Sequence, residues 1–249
     1  MRKLVIIHTT LTTTASLPAL AKALMPTCEV VNIVDDSLLT EVVATGGKIE
    51  NVEGRVRHYV HGAEHGGAHV ILLACPSLGE LIGPLRQQAT ATIVRIDDAM
   101  AAEAVRRAQT RIGIVATLSA TLEPTVHLIL RRAKELHKKL DVEPIVIPAA
   151  HQQLLRDDRA GHDALVMEAV AQLAPAVDVI LFTQPTLDTQ NLKLPTHAQS
   201  KWIDCAQPAM ERVKLLMEGT GRLILPDSPP PSPEKIAAQR EQERLRVGG

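Results

Sequence analysis

The sequence predicts an α/β protein of two pseudo-symmetric lobes, each a parallel sheet flanked by helices, with a cleft between them. Three observations carry that expectation. Short apolar runs alternate with helical segments, the pattern of parallel strands joined by crossover helices. The pattern then restarts: "RIGIVATLSATLEP" at 111–124 echoes "RKLVIIHTTLTTTA" at 2–15, and "VDVILFTQPTL" at 177–187 echoes "AHVILLACPSL" at 68–78. Thr9 and Thr117 stand 108 positions apart and Cys75 and Gln184 stand 109 apart, so two independent echoes share nearly one offset. A repeat of that length is a duplicated lobe rather than a solenoid unit of about 20–50 residues.

Taken in order, "KLVIIHTT" is a buried strand running into a Thr-rich loop. "SLPALAKAL" is a helix with Ser16 as its N-cap and Pro18 in the first turn. "CEVVNIVD" is the second strand, and "GRVRHYVHGAEHG" a helix that stops at Gly66 and Gly67. "HVILLAC" is the third strand and leads into a helix over "PSLGELIGPL". "TATIVRID" is the fourth strand and "DAMAAEAVRRAQ" a helix. In the second half "EPIVIPAAHQQLL" answers "EVVNIVDDSLL", and "QPAMERVKLLMEG" is a helix opened by Pro208 and closed by Gly219. The expected partition is a first lobe of residues 1–96 plus a returning helix at 206–222, and a second lobe of 97–205. The Pro-rich, charged stretch 227–249 is expected outside the fold, because four prolines favour an extended chain and little behind them can be buried.

Composition narrows the function. The 249 residues are 45% hydrophobic and 22% charged, ordinary for a globular protein. Aromatics are 1% (Tyr59, Phe182 and Trp202), so the core is aliphatic and stacking on nucleobases is nearly excluded. A net charge of −1 leaves no electrostatic footprint for nucleic acid. Cys28, Cys75 and Cys205 have no CxxC spacing, which argues against a disulfide framework and for a reducing compartment. The N-terminal run "LVII" is too short for a signal peptide, and no stretch approaches the ~18 apolar residues of a membrane span. A soluble, cytoplasmic protein that binds neither nucleic acid nor membrane is expected, with a homo-oligomer open.

Ligands of parallel α/β sheets bind beyond the carboxyl ends of the strands. Both Thr-rich loops and the Cys75 and Gln184 turns lie there, so they are expected to meet in one cleft. Cys75 precedes a helix start whose free N–H groups favour an anion, a setting that lowers a thiol pKa. Gln184 cannot be an acid or base near neutral pH; its amide only donates and accepts hydrogen bonds. Thr9, Thr10, Thr117, Ser119 and Thr121 offer uncharged hydroxyls for a carboxylate, though Thr121 serves equally well as a helix cap. His58, His61 and His65 share a helix face but lack an HExxH pattern, so no metal site is expected. Asp35, Asp36, Asp97 and Asp98 follow strands and read as helix N-caps, with Asp35 a weak site candidate.

The ordered set "NIVDDSLL", "ILLACPSLGEL", "IVRIDDAMAAEAV", "RIGIVATLSATLEPT" and "VDVILFTQPTL" resembles the aspartate/glutamate/hydantoin racemase superfamily, which includes arylmalonate decarboxylase. The resemblance covers about residues 1–220. It implies two lobes, no metal or organic cofactor, and a cysteine from each lobe flanking an acidic C–H. Cys75 matches the first family cysteine, and Gln184 stands where the second would be. His8 matches the place of an Asp in the glutamate racemase branch and is a candidate second proton carrier beside Cys75. The expected site is Cys75 and His8 as catalytic residues, with Thr9, Thr10, Pro76, Ser77, Thr117, Ser119, Gln184, Pro185 and Thr186 binding a small carboxylate or ring amide. The expected activity is racemisation or epimerisation at an acidic α-carbon. Decarboxylation of a substituted malonate with one-face protonation by Cys75, and a non-catalytic carboxylate-binding protein, are the alternatives.

"SPPPSP" joins neither a helix interior nor a central strand. Truncation after Pro226 is therefore expected to leave the thermal midpoint and turnover unchanged; insoluble protein or lost activity would contradict it.

Overall fold

The computed structural model describes residues 2–187, 192 and 201–219. Four parallel strands, β1 (Lys3–His8), β2 (Glu29–Val34), β3 (Val70–Leu73) and β4 (Thr92–Arg95), form one sheet in the order β2-β1-β3-β4. Four more, β5 (Arg111–Ala116), β6 (Asp141–Val146), β7 (Val179–Phe182) and β8 (Trp202–Asp204), form a second in the order β6-β5-β7-β8. The order is the same in both, as the repeated sequence demands. Ile7 pairs with Leu73 in the first sheet as Val115 pairs with Phe182 in the second. The fold class read from the sequence is therefore the one observed. The tail at 227–249 and residues 220–222 lie outside the described residues.

Between the strands run α1 (Ser16–Leu24), α2 (Ser37–Ala44), α3 (Glu50–His65), α4 (Ile82–Gln88), α5 (Asp98–Arg107), α6 (Ser119–Glu135), α7 (Pro148–Leu155), α8 (Arg159–Leu173) and α9 (Ala206–Glu218). Some boundaries differ from the sequence reading. Ser16 is the first residue of α1 rather than its cap, which is Ala15 and carries no side-chain bond. The segment after Cys75 starts as a 3-10 helix over Pro76–Leu81 and becomes α-helical only at Ile82. α9 opens at Ala206, two residues before Pro208, and ends at Gly219, whose φ of 76° lies in the left-handed region glycine tolerates.

Strand alternation divides the core into three layers. Leu4, Ile6 and Leu72 of the first sheet and Ile112, Ile114, Val179 and Leu181 of the second face one shared layer. α5 fills it with Met100, Ala101, Ala104 and Val105, and α9 with Ala209, Met210 and Val213. The opposite face of the first sheet packs on Val52, Val56 and Val60 of α3. The opposite face of the second packs on Val166 and Val170 of α8, where Phe182 and Trp202 stack with ring centroids 5.8 Å apart. The lobes thus share one apolar layer, which fixes the relation of their strand ends. No helix among the described residues is long and apolar enough to cross a membrane.

Two carboxylates tie down the turns at the opposite ends of the sheets. Asp178 Oδ2 accepts from the N–H groups of Gln109, Thr110 and Arg111 and from the Thr110 hydroxyl. In the first lobe Glu64 does the same for Thr90 and Ala91. The Arg111 and Thr110 N–H bonds hold the Asp178 carboxyl at about 2, below its ordinary value of 3.8. Its contribution is present above the unfolded-state value and is lost as pH falls from about 4 towards about 2. Asp178→Asn is expected to flatten that limb of the acid unfolding curve. It should also lower the thermal midpoint at neutral pH, by about 2–4 °C for each kcal/mol lost in a protein of this size. An unchanged acid limb, followed by circular dichroism, would contradict this.

Candidate active site

The strand faces decide which side chains meet. Val5, Ile7, Ile71 and Leu73 point to one face of the first sheet, and Cys75 joins them. Thr9, two residues beyond Ile7, falls on the same face, and its hydroxyl bonds to the Cys75 sulfur. In the second sheet Val115, Ile180 and Phe182 share the equivalent face. Two residues on come Thr117 and Gln184, and they bond too: Gln184 Oε1 accepts from Thr117 N at 2.7 Å and from Thr117 Oγ1 at 2.9 Å. Thr9–Cys75 and Thr117–Gln184 are thus one pair written twice, with the thiol in one copy and an amide in the other. Both Thr117 donors engage Oε1, which leaves Gln184 Nε2 as the amide's donating end.

Cys75 is buried and caps the 3-10 helix over Pro76–Leu81. Its side chain makes no capping bond, and the Leu78 N–H donates to the Cys75 carbonyl at 3.2 Å; the Ser77 hydroxyl and the Ser77 and Leu78 N–H groups lie near the sulfur and favour its thiolate. Pro76 is buried at the first position of that helix. The sequence reading expected a lowered thiol pKa. Burial instead pushes it above its ordinary value, and the four neighbouring donors recover only part of that shift.

Ser77 also reaches across the lobes, its Oγ 3.1 Å from Thr121 Oγ1 on α6. Ser77, Thr117 and Ser119 line one inter-lobe cleft of about 620 Å³, together with Glu50, Glu80 and Glu123. Cys75, Gln184, Thr9 and Thr10 were expected in the same cleft but do not line it; the neighbour of Cys75 and the partner of Gln184 do.

Other candidates go elsewhere. His8 follows Leu4 and Ile6 on the opposite face from Cys75, and both its nitrogens are engaged: Nδ1 with Thr13 Oγ1 at 2.8 Å and Nε2 with Asn32 Oδ1 at 2.9 Å. Burial lowers its pKa, so the imidazole is neutral at neutral pH. Thr10 caps the short 3-10 helix over Leu11–Thr13. Pro185 lines a separate cavity of about 320 Å³ between α1 and the start of α9, and the neighbouring Thr186 is half-buried. Asp35 holds the turn into α2, accepting from Ser37 and Tyr59. His65 Nδ1 bonds to the His61 carbonyl, and His61 pairs with Glu64. No group of three or more His, Cys, Asp or Glu side chains among the described residues is placed to hold a metal ion.

The sequence reading missed the polar cluster behind the cleft. Asp97, read as a helix cap, makes no capping bond. It is fully buried and takes a bidentate contact from buried Arg95, at 2.5 and 2.9 Å. Arg95 Nη2 also donates to the Pro124 carbonyl at 3.0 Å, and Thr125 Oγ1 lies 3.2 Å from Asp97 Oδ2 and 3.0 Å from the Thr121 carbonyl. Pro124 and Thr125 belong to α6, so this cluster clamps that helix to the end of β4. Gly79 is required beside it, since a Cβ there would stand 2.1 Å from Arg95 Cζ. The signal was legible in "IVRID": an arginine inside a buried strand demands an acidic partner.

Fold and site together define a two-lobed α/β protein with a cleft at the strand ends and a buried thiol two residues from Ser77 in its wall. The Asp/Glu/Hydantoin racemase family matches residues 4–212, and the chain belongs to that family. Among solved structures it is similar to allantoin racemase from Klebsiella pneumoniae, at 20% identity and a TM-score of 0.67, over 92% of this chain and 94% of that one. It is similar to a glutamate racemase from Bacillus anthracis, at 14% identity and a TM-score of 0.68, over 92% and 86%. A mutant of arylmalonate decarboxylase matches at 17% identity and a TM-score of 0.55, over 88% and 95%. Among curated proteins no sequence matches.

Removing one partner of a buried ion pair leaves the other charge uncompensated, at a cost of about 3–5 kcal/mol. Arg95→Ala is expected to lose that much in urea unfolding, and Arg95→Met with Asp97→Leu together much less. Equal losses in the single and double variants would contradict the clamp.

Proposed function

We propose that the protein is a cofactor-independent racemase or epimerase that moves a proton at the acidic α-carbon of a small carboxylate or ring amide, with Cys75 as the proton carrier. The observation that carries this is the setting of the sulfur. Burial holds Cys75 as a neutral thiol at rest, while the Thr9 and Ser77 hydroxyls and the N–H groups of the turn beside it favour the thiolate once formed. A group poised between both states can take a proton and return it.

The resting thiol first loses its proton to solvent; in the forward step the α-proton then passes to the Cys75 thiolate, and the C–H electron pair moves into the adjacent carbonyl as an enolate. Gln184 Nε2 is the donor this reading gives to the developing oxyanion. Thr9 and Thr117 position Cys75 and Gln184, and Ser77 and Ser119 meet the polar groups of the substrate. Return of the proton from sulfur to the same face gives exchange without inversion. Racemisation also needs a proton on the other face, and because Gln184 cannot supply one, that proton comes from water in this scheme and inversion lags behind exchange. His8 has no proton to move in this scheme; it holds the end of β1 against Asn32 and Thr13.

The asymmetry between Cys75 and Gln184 favours a second reading. A substituted malonate would lose carbon dioxide by C–C cleavage, the carbanion would take the Cys75 S–H proton on one face, and the thiolate would regain a proton from water. One thiol suffices for that reaction, whereas two-face racemisation calls for a second carrier.

Amino acids, hydantoins and malonates incubated in D₂O and followed by NMR separate proton exchange, inversion and carbon dioxide loss. Cys75→Ser is expected to lose about 10²- to 10⁴-fold in turnover, the usual share of a positioned acid–base group, with the fold retained. Cys28→Ser and Cys205→Ser are expected to stay near wild type. Gln184→Cys should raise inversion relative to exchange by adding a base on the second face. Full activity in Cys75→Ser would overturn the assignment.

A further inference from the structure

We infer that Thr121 is a positioning residue for the Cys75 thiolate, acting through Ser77 from the opposite lobe. The inference rests on the assignment of Cys75 above and extends it to a residue outside reach of the sulfur. A line of buried residues runs from Cys75 to Ser77 and the Thr121 hydroxyl, and from the Thr121 carbonyl through Thr125 to Asp97 and Arg95. The first two belong to the lobe that carries the thiol, and Thr121 and Thr125 belong to α6 of the other.

Hydroxyl bookkeeping gives the line a direction. The Ser77 hydroxyl has one proton and two neighbours, the Cys75 sulfur and Thr121 Oγ1 at 3.1 Å. When Cys75 is a thiolate, the Ser77 hydroxyl must donate to sulfur, and its oxygen is then free to accept from Thr121. When Cys75 is a thiol, S–H can donate to Ser77 and Ser77 to Thr121. Two rotating hydroxyls reverse together, and no proton leaves its oxygen. A valine at 121 keeps the shape but cannot donate, so the thiolate arrangement loses its second bond while the thiol arrangement loses only an acceptor. A hydrogen bond donated towards a charge is the stronger of the two, so the loss falls on the thiolate.

Thr121 itself is fixed by the clamp. Its carbonyl accepts from Thr125, and the following turn of α6 is held by Arg95 through the Pro124 carbonyl. The approach of the two lobes therefore sets the Ser77 hydroxyl, and through it the readiness of Cys75 to ionise.

The test is the ultraviolet thiolate absorbance of the full-length protein against pH, with the Cys75→Ser protein subtracted so that only Cys75 is read. Thr121→Val is expected to lower the thiolate fraction at a given pH about three- to tenfold, the worth of one hydrogen bond. It should lower kcat by a similar factor with KM little changed. Thr121→Ser should restore both, and thermal melts identify any variant that has simply unfolded. An unchanged thiolate titration in folded Thr121→Val would overturn the inference, as would a shift that Thr121→Ser fails to restore. The titration needs no substrate. A shifted titration in Thr121→Val, together with full turnover in Cys75→Ser, would keep the relay and remove the assigned function.

Discussion

Arg95 and Asp97 meet where the chain leaves the first sheet for the second, and both side chains are buried there. Two charges inside a protein stay only if their geometry compensates lost hydration. This pair does so with a bidentate contact, then uses the remaining donors and acceptors on α6. The first turns of that helix are thereby held against the 3-10 helix that follows Cys75. The Ser77–Thr121 contact bridges that helix and the 3-10 helix, and Ser77, Thr117 and Ser119 line the cleft beside it. The shared apolar layer between the sheets sets the coarse relation of the lobes, and the ion pair sets the fine one.

Duplication explains why the site is a pair, and substitution explains why the pair is unequal. A parallel sheet brings strand ends to one edge, and two copies of the sheet bring two such edges to one cleft. In each copy a threonine at the end of the first strand bonds to the residue at the end of the third. One such residue ionises and the other cannot. The two strand-end pairs keep one arrangement, with an ionisable group in one and an amide in the other.

Much of this was legible in the sequence, and what was not has a physical reason. The strands, the restart at residue 111 and the Cys75–Gln184 equivalence follow from period and apolar run, which local sequence carries. The face of a side chain also follows from period, yet the resemblance makes His8 a candidate beside Cys75. Its separation rests on register: His8 aligns with the Leu4 and Ile6 face, and Asn32 from β2 closes it off. The thiol pKa went the wrong way because burial, a property of the whole fold, outweighs the helix start that the sequence reveals. Asp97 read as a cap because a residue after a strand usually is one; only the tertiary fold brings Thr125 and Pro124 to it and to Arg95.

The central claim is that one ionisable group serves one face of the substrate carbon. It is tested most directly by the stereochemical course of the wild-type protein in D₂O, with inversion and deuterium incorporation measured on the same sample. The account predicts incorporation with retention that outruns inversion for a substrate with an α-proton, or a single deuterated enantiomer from a malonate. Inversion as fast as incorporation would contradict it and require a second proton carrier opposite Cys75.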